Sequence, residues 1–534
     1  MLHKILLNDN PRGLLFLWKN LFQHGEYSAF EHFTNAKKDS SRMTVLWWLN
    51  FKRLNSYAQI SFVLSQKMKP DSSLRFLPAV EKVLQHEQLQ ALRGRLAPEI
   101  LANCVRRAVA DLREQCLPPA PSPFEAETAL AQALALTFQH AAKLLQPGLK
   151  KVINATGVIL HTGLGRAVLS PAAKAALQET LTGYCNLELN LESGKRGDRH
   201  SHVEALLREL TGAEAACVVN NNAAAVLLTL NTIANKKEIL TSRGQLVEIG
   251  GSFRMPEVVK KSGAKLVEIG TTNKTKLSDY AQAITPRTAG FLVAHTSNYR
   301  VLGFTQEVEL QPLAKLARER NLILVHDLGG GVLVDLRRWG LPYEPVVSES
   351  IAAGAHVVTF SGDKVLGGPQ SGVIVGERET IQRLKKNPMM RALRCDKLTL
   401  GILESTLRLF LQPEKLAEQH EVFRKLAEKL ETVQQRAQFL HAQLQPACGA
   451  GLSARVEPSA GETGSGALPL EKIPSYAVVL NSTHMPAQQL AKSLRLAETP
   501  ILGYIHQEGF WLDCRTIADE EIPIIVQIFK NLKR

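Results

Sequence analysis

The chain has 534 residues, more than a single hydrophobic core usually supports, so more than one domain is expected. With 45% hydrophobic and 21% charged residues it has a globular composition, which excludes collagenous and wholly disordered classes. A formal net charge of +14 fits an acidic partner (nucleic acid, anionic lipid or a phosphorylated substrate) as readily as an enzyme that is simply basic.

The cysteines, Cys104, Cys116, Cys185, Cys217, Cys395, Cys448 and Cys514, include no Cys-x-x-Cys pair, which argues against both a disulfide framework and a structural zinc site. They read as reduced thiols. No uncharged apolar run approaches the roughly 18–20 residues that span a bilayer, and the apolar stretch after Met1 is too short for a signal peptide. A cytoplasmic protein with no membrane partner is therefore expected.

In chain order, residues 1–67 form an aromatic-rich extension holding three of the five tryptophans, Trp18, Trp47 and Trp48. They read equally as a small helical or membrane-surface module and as sequence upstream of a start at Met68. Residues 68–117 form a basic helical domain: Leu77, Val80, Val83, Leu84, Leu89, Leu92 and Leu96 recur at helical spacing among Arg93, Arg95, Arg106, Arg107 and Arg113. Residues 118–150 open on the stiff Pro118-Pro119-Ala120-Pro121-Ser122-Pro123 linker and continue as an alanine-rich helix. From 151 to 395 short apolar runs alternate with amphipathic segments such as 311–320. Ala215–Val219, Leu240, Leu266–Ile269, Phe291–Ala294, Leu322–Val325, Val357–Phe360 and Gly372–Val375 read as buried strands. This is the pattern of an α/β domain with a mostly parallel sheet covered on both faces. Residues 396–534 read as a smaller C-terminal α+β domain. It has a long helix after Pro413, a surface loop over 457–468 and a strand at Tyr476–Leu480.

The densest chemical signal is Val357-Val358-Thr359-Phe360-Ser361-Gly362-Asp363-Lys364, followed by Val365-Leu366-Gly367-Gly368-Pro369-Gln370. A β-branched strand delivers one lysine into a glycine-rich turn. Partial burial and neighbouring cations favour loss of its proton, which Schiff-base chemistry requires. Upstream, the Leu322–Val325 strand ends at His326-Asp327 before Gly329-Gly330-Gly331, placing an aspartate where it can pair with a protonated pyridine nitrogen. A third strand runs into Asn220-Asn221-Asn222 and then Ala223-Ala224-Ala225, an N-cap and helix start suited to a phosphate ester. Together these imply pyridoxal 5'-phosphate: phosphate held at Asn221, Asn222 and Ala223, ring nitrogen at Asp327, and Schiff base at Lys364 beside Ser361. Two basic clusters remain, Arg166 in Gly163-Leu164-Gly165-Arg166 and the Arg391/Arg394 pair, whose i, i+3 spacing predicts one helical face. His161 and His326 are candidates for ring stacking or acid–base work, or ordinary loop histidines.

These blocks resemble bacterial selenocysteine synthase, the L-seryl-tRNA(Sec) selenium transferase, from about Leu74 to the C-terminus. The most specific are Val152–Ser170, Val247–Pro256, Glu268-Ile269-Gly270-Thr271-Thr272-Asn273-Lys274-Thr275, the Asp327 strand and Ser361–Gly372. The resemblance implies the aspartate-aminotransferase fold (fold type I), with Lys364 and Asp327 as catalytic residues. Arg166, Arg391 and Arg394 would bind selenophosphate, the N-terminal helical region would grip seryl-tRNA(Sec), and the protein would form a homo-oligomeric ring of dimers. The implied reaction is β-elimination of the seryl hydroxyl to aminoacrylyl-tRNA, then selenium addition to give selenocysteinyl-tRNA(Sec). A related pyridoxal-phosphate lyase acting on a small free amino acid is the alternative.

Overall fold

Helical periodicity in the first part of the chain becomes a small packed unit. The structure, a computed structural model, describes residues 76–115, 126–249, 253–448 and 451–532, so the 1–67 extension and the Pro118–Pro123 segment lie outside the described residues. The chain divides into two compact units, Met1–Leu149 and Lys150–Arg534. In the first, α1 (Val80–Leu84), α2 (Gln90–Arg93), α3 (Pro98–Gln115) and α4 (Ala126–Leu145) follow in order. Helix α3 starts with proline, which tolerates the unpaired N-terminal amide position. It buries Leu101, Cys104, Val105, Ala108 and Leu112, one stripe at 3.6-residue spacing, against Ala133, Leu134 and Ala141 of α4. Its other face exposes Arg106, Arg107 and Arg113. The stripe expected from Leu77 to Leu96 is not one helix. His86 is extended and its ring accepts the Gln88 N–H, which ends one turn and starts another.

The second unit is organised by a seven-stranded sheet. In chain order its strands are β1 (Ala215–Val219), β2 (Glu238–Ser242), β3 (Lys265–Ile269), β4 (Thr288–Ala294), β5 (Ile323–Gly329), β6 (Val357–Ser361) and β7 (Gly372–Gly376). They lie side by side as β1-β7-β6-β5-β4-β2-β3, with only β7 antiparallel to its neighbours. Alternate residues feed opposite faces, as strand geometry requires. Val218, Val358, Phe360, Val373 and Val375 enter one core with α5 (Ser201–Thr211), whereas Cys217, Val219, Val325, Val357 and Ile374 enter the other with α6 (Asn222–Ala234). All seven strands coincide in position with the runs read from the sequence, but β3 is not the buried strand expected: it lies at the sheet edge and exposes Lys265 and Glu268. This mainly parallel sheet, clad on both faces, is the expected α/β architecture of aminotransferase-like enzymes.

Downstream, a four-stranded antiparallel sheet is built from β8 (Leu452–Gly464), β9 (Ala467–Ser482), β10 (Tyr504–His506) and β11 (Gly509–Asp513). It packs Val478, Leu480, Phe510 and Leu512 with residues of the helices Leu430–Leu444 and Ile522–Leu532. Two expectations need correction here. Residues 457–468 are mostly strand: β8 is an edge strand paired with β9, and an edge accommodates Pro458 because one side of its backbone needs no partner. The helix after Pro413 is also broken, into Leu416–Gln419, Glu421–Ala427 and Leu430–Leu444. The first break falls where His420 turns extended and its Nδ1 caps the Phe423 N–H, while Nε2 donates to the Leu366 carbonyl at 2.9 Å; the second falls at the extended Glu428 and Lys429. The His420 contact ties the first break to the turn after Lys364. Gly367 (φ +71°) has no room for a Cβ beside the His420 ring.

Candidate active site

Parallel strands leave a crevice at their carboxyl ends, and four of them end at one cavity. It measures about 360 Å³, and its wall includes Asn221, Asn222 and Ala223 after β1, His295 and Ser297 after β4, Asp327 and Gly329 of β5, and Ser361 and Lys364 at and after β6. Arg166 and Gln370 complete its polar lining.

Lys364 is buried at 5% exposure. Burial pushes its amine below the usual lysine range, against the opposing pull of Asp327. A lysine so placed loses its proton more easily than a surface one. Asp327 is itself buried, which raises its carboxyl, but two donors stabilise the charged form: Asn222 Nδ2 at 2.7 Å and Thr359 Oγ1 at 2.9 Å, both to Oδ1. Thr359 comes from β6, so the strand that delivers the lysine also steadies the aspartate of the next strand. Across from these, Asn221 caps α6 by accepting the Ala224 N–H at 2.9 Å. Its helix begins with a run of alanines, whose small side chains do not cover the amides ahead of the capped Ala224.

Arg166 adopts a left-handed backbone (φ 64°), which costs a non-glycine residue about 1–3 kcal/mol. Two contacts hold it there: its N–H donates to the His161 carbonyl at 3.0 Å, and Nη1 bonds Asp363 Oδ2 at 2.7 Å. The residue beside the buried lysine thus fixes the arginine of the cavity wall.

Arg391 and Arg394 are exposed and do not line the cavity. Nor do they share a helical face as their spacing predicts, because the helix Met389–Leu393 ends before Arg394, whose backbone is extended. The segment is moored to the end of β1 by the Asn220 N–H to the Leu393 carbonyl at 2.9 Å and by an isolated bridge between Val219 and Arg394. Among the histidines, His326 points away from the cavity into the core, where Nδ1 meets Ser350 Oγ at 3.0 Å and burial pushes its pKa down to about 3. His161 does not line the cavity either. The sequence reading missed His295, Ser297, Thr359 and Asp363. His295 directly follows the Phe291–Ala294 run, so the rule that sites gather at strand carboxyl ends was the available signal.

Two buried polar atoms here lack a partner, Asn222 Oδ1 and Ser297 Oγ. Gly329 passes so close that a Cβ there would lie 3.6 Å from Lys364 Nζ. Unspent hydrogen-bonding capacity beside a glycine-walled slot fits a flat, polar-rimmed group such as pyridoxal phosphate.

Fold and site together define an α/β enzyme of the aminotransferase-like class, for which pyridoxal phosphate is the implied cofactor. Residues 152–518 match the family model for L-seryl-tRNA selenium transferase, and residues 74–113 match that for the selenocysteine synthase N terminal region. The chain belongs to the L-seryl-tRNA selenium transferase family. It is similar to the L-seryl-tRNA(Sec) selenium transferase of Alkaliphilus oremlandii, at 42% identity over 85% of this chain and 98% of that one. The corresponding protein of Carboxydothermus hydrogenoformans is 45% identical over 87% of this chain and 98% of its own.

Proposed function

We propose that this chain converts seryl-tRNA(Sec) to selenocysteinyl-tRNA(Sec) with selenophosphate, at the cavity around Lys364. The observation that carries the reading is the buried Lys364 facing the Asn222- and Thr359-supported Asp327, within a chain of this family. Pyridoxal phosphate, when bound, supplies an electron sink for the charge left on the serine α-carbon once its proton is removed. Lys364 would hold the cofactor and then take that α-proton, a role its burial suits. Asp327 would pair with the ring nitrogen. Asn221, Asn222, Ala223 and Ser361 would hold the remainder, with the amides of the α6 N-terminus meeting the phosphate ester.

Arg166, already in the wall, would grip the phosphate of the selenium donor and steady the charge that develops as the selenium–phosphorus bond breaks. Arg391 and Arg394 take the same role on the strength of the family resemblance, supported by the tie of their segment to the strand that leads into Asn221. The exposed arginines of α3 would meet the tRNA backbone. We place the protein in the cytoplasm as a homo-oligomer, with the ring of dimers as its form. Among the described residues no helix is long and apolar enough to cross a membrane.

The test offers the protein seryl-tRNA(Sec) with selenophosphate, beside free serine and other small amino acids, and identifies the products by mass. Selenocysteinyl-tRNA formed from the tRNA-borne serine alone is the expected result. Turnover of a free amino acid with seryl-tRNA ignored would assign the site to a lyase instead.

A further inference from the structure

The proposed reaction leaves one titratable side chain of the cavity wall without a task. His295 follows β4, and its backbone N–H donates to the Asp327 carbonyl at 2.8 Å, which sets its Cα beside the strand carrying that aspartate. Its ring is fixed from behind, with Nε2 lying 3.2 Å from Oε1 of Glu344, a carboxylate only 3% exposed. A buried carboxylate behind an imidazole orients the ring and compensates a proton carried on it.

Elimination from a seryl group needs two proton movements. One proton leaves the α-carbon, and another must reach the departing hydroxyl, because hydroxide is a poor leaving group. Lys364 performs the first. For the second, Arg166 does not give up a proton in proteins, and Asp327 is committed to Asn222 and Thr359. Besides Lys364, which holds the proton it has just taken, that leaves His295 among the ionisable side chains in the wall, the one with a buried carboxylate behind it.

We propose that His295, backed by Glu344, is the acid that protonates the departing β-hydroxyl, an inference resting on the transferase reading of this site. In the balanced step Lys364 takes the α-proton, and the electron pair released forms the Cα–Cβ double bond. The Cβ–O bond breaks with its pair going to oxygen, and the proton from His295 completes a water molecule. His295 regains its proton from solvent before the next turnover.

The experiment compares leaving groups. Cofactor-loaded wild type, His295→Gln and Glu344→Gln each receive seryl-tRNA(Sec) and β-chloroalanyl-tRNA(Sec) with selenophosphate. Selenocysteinyl-tRNA is timed in a single turnover, and cofactor loading is titrated separately by absorbance. Loss of a general acid costs on the order of 100-fold or more, so His295→Gln is expected to slow by that factor on the seryl substrate. It is expected to stay close to wild type on the chloro substrate, because chloride departs without a proton. Glu344→Gln shows the same pattern more weakly. Equal losses on both substrates, no loss on either, or failure of His295→Gln to load cofactor would overturn the acid role. Failure of the wild type itself to make selenocysteinyl-tRNA would instead overturn the transferase reading beneath it.

Discussion

Lys364 is held in a place that suits the chemistry proposed for it better than the stability of the cofactor-free protein. Its folded pKa lies below the ordinary lysine value because burial disfavours the ammonium. The folded state therefore binds fewer protons here than the unfolded one, which is a destabilising contribution. It is fully present below the folded pKa and is relieved as pH rises toward the unfolded value of 10.5. Cofactor-free Lys364→Met is accordingly expected to melt higher than wild type near neutrality, with the gap narrowing as pH climbs. Thermal denaturation across that range checks it, and a gap that widens with pH contradicts it. Lys364→Ala should make no selenocysteinyl-tRNA while binding seryl-tRNA normally in filter binding. Full activity in that variant would remove the lysine from the mechanism. At this scale the sequence was legible where a residue's place follows from its own strand, as for Lys364, Asp327 and Asn221, which meet in one cavity wall. It was less legible where the role depends on a neighbour brought in by the fold. Thr359 meets Asp327 because β6 lies beside β5, and His295 is held by Glu344, 49 residues further on.

Between elements, buried histidines do the joining. His420 caps one helix and reaches the turn after Lys364, His200 Nδ1 accepts the Val218 N–H of β1, and His356 Nδ1 accepts the Leu324 N–H of β5. A ring nitrogen that accepts from a backbone N–H cannot also carry a proton, so these contacts need the neutral form. Burial drives the pKa of His200 and of His420 down to about 4, from an ordinary 6.5. The folded state again binds fewer protons, so their stability is intact above pH 6.5 and is lost as pH falls toward 4, by about 3 kcal/mol for each such histidine. The thermal midpoint should drop through that window, and a flat profile from pH 6.5 to 4 would count against the arrangement. One of these contacts, and one edge position, explain what periodicity alone could not show. The apolar stripe after Pro413 is helical throughout by spacing, yet His420 interrupts it by capping. Residues 457–468 look like a loop by composition, yet an edge position makes Pro458 and the small residues tolerable in a strand. The strands of the large sheet, by contrast, were all located, most of them because a strand covered on both faces must be a short apolar run; β3, at the sheet edge, is instead partly exposed, with Lys265 and Glu268 open to solvent.

Over the molecule as a whole, the +14 charge fits the tRNA partner proposed above. If tRNA phosphates contact α3, affinity falls linearly with the logarithm of salt concentration, and each phosphate contact removed lowers the slope by about 1. Arg106→Ala and Arg107→Ala should each flatten that slope without changing the rate of a saturated single turnover. An unchanged slope would move the tRNA contact elsewhere. The sheet order carries a further consequence, for the birth of the protein. β7 is the last of the seven strands in sequence, yet it inserts between β1 and β6, pairing Gly372 with both Val219 and Ser361. The Asn221 side of the cavity and the Lys364 side are therefore stitched together by the final strand to emerge. At ribosomal speeds of roughly 5–20 residues per second, β1 waits on the order of ten seconds or more for this neighbour. Until then its edge is open to wrong pairing, and the nascent chain is an enzyme without a pocket.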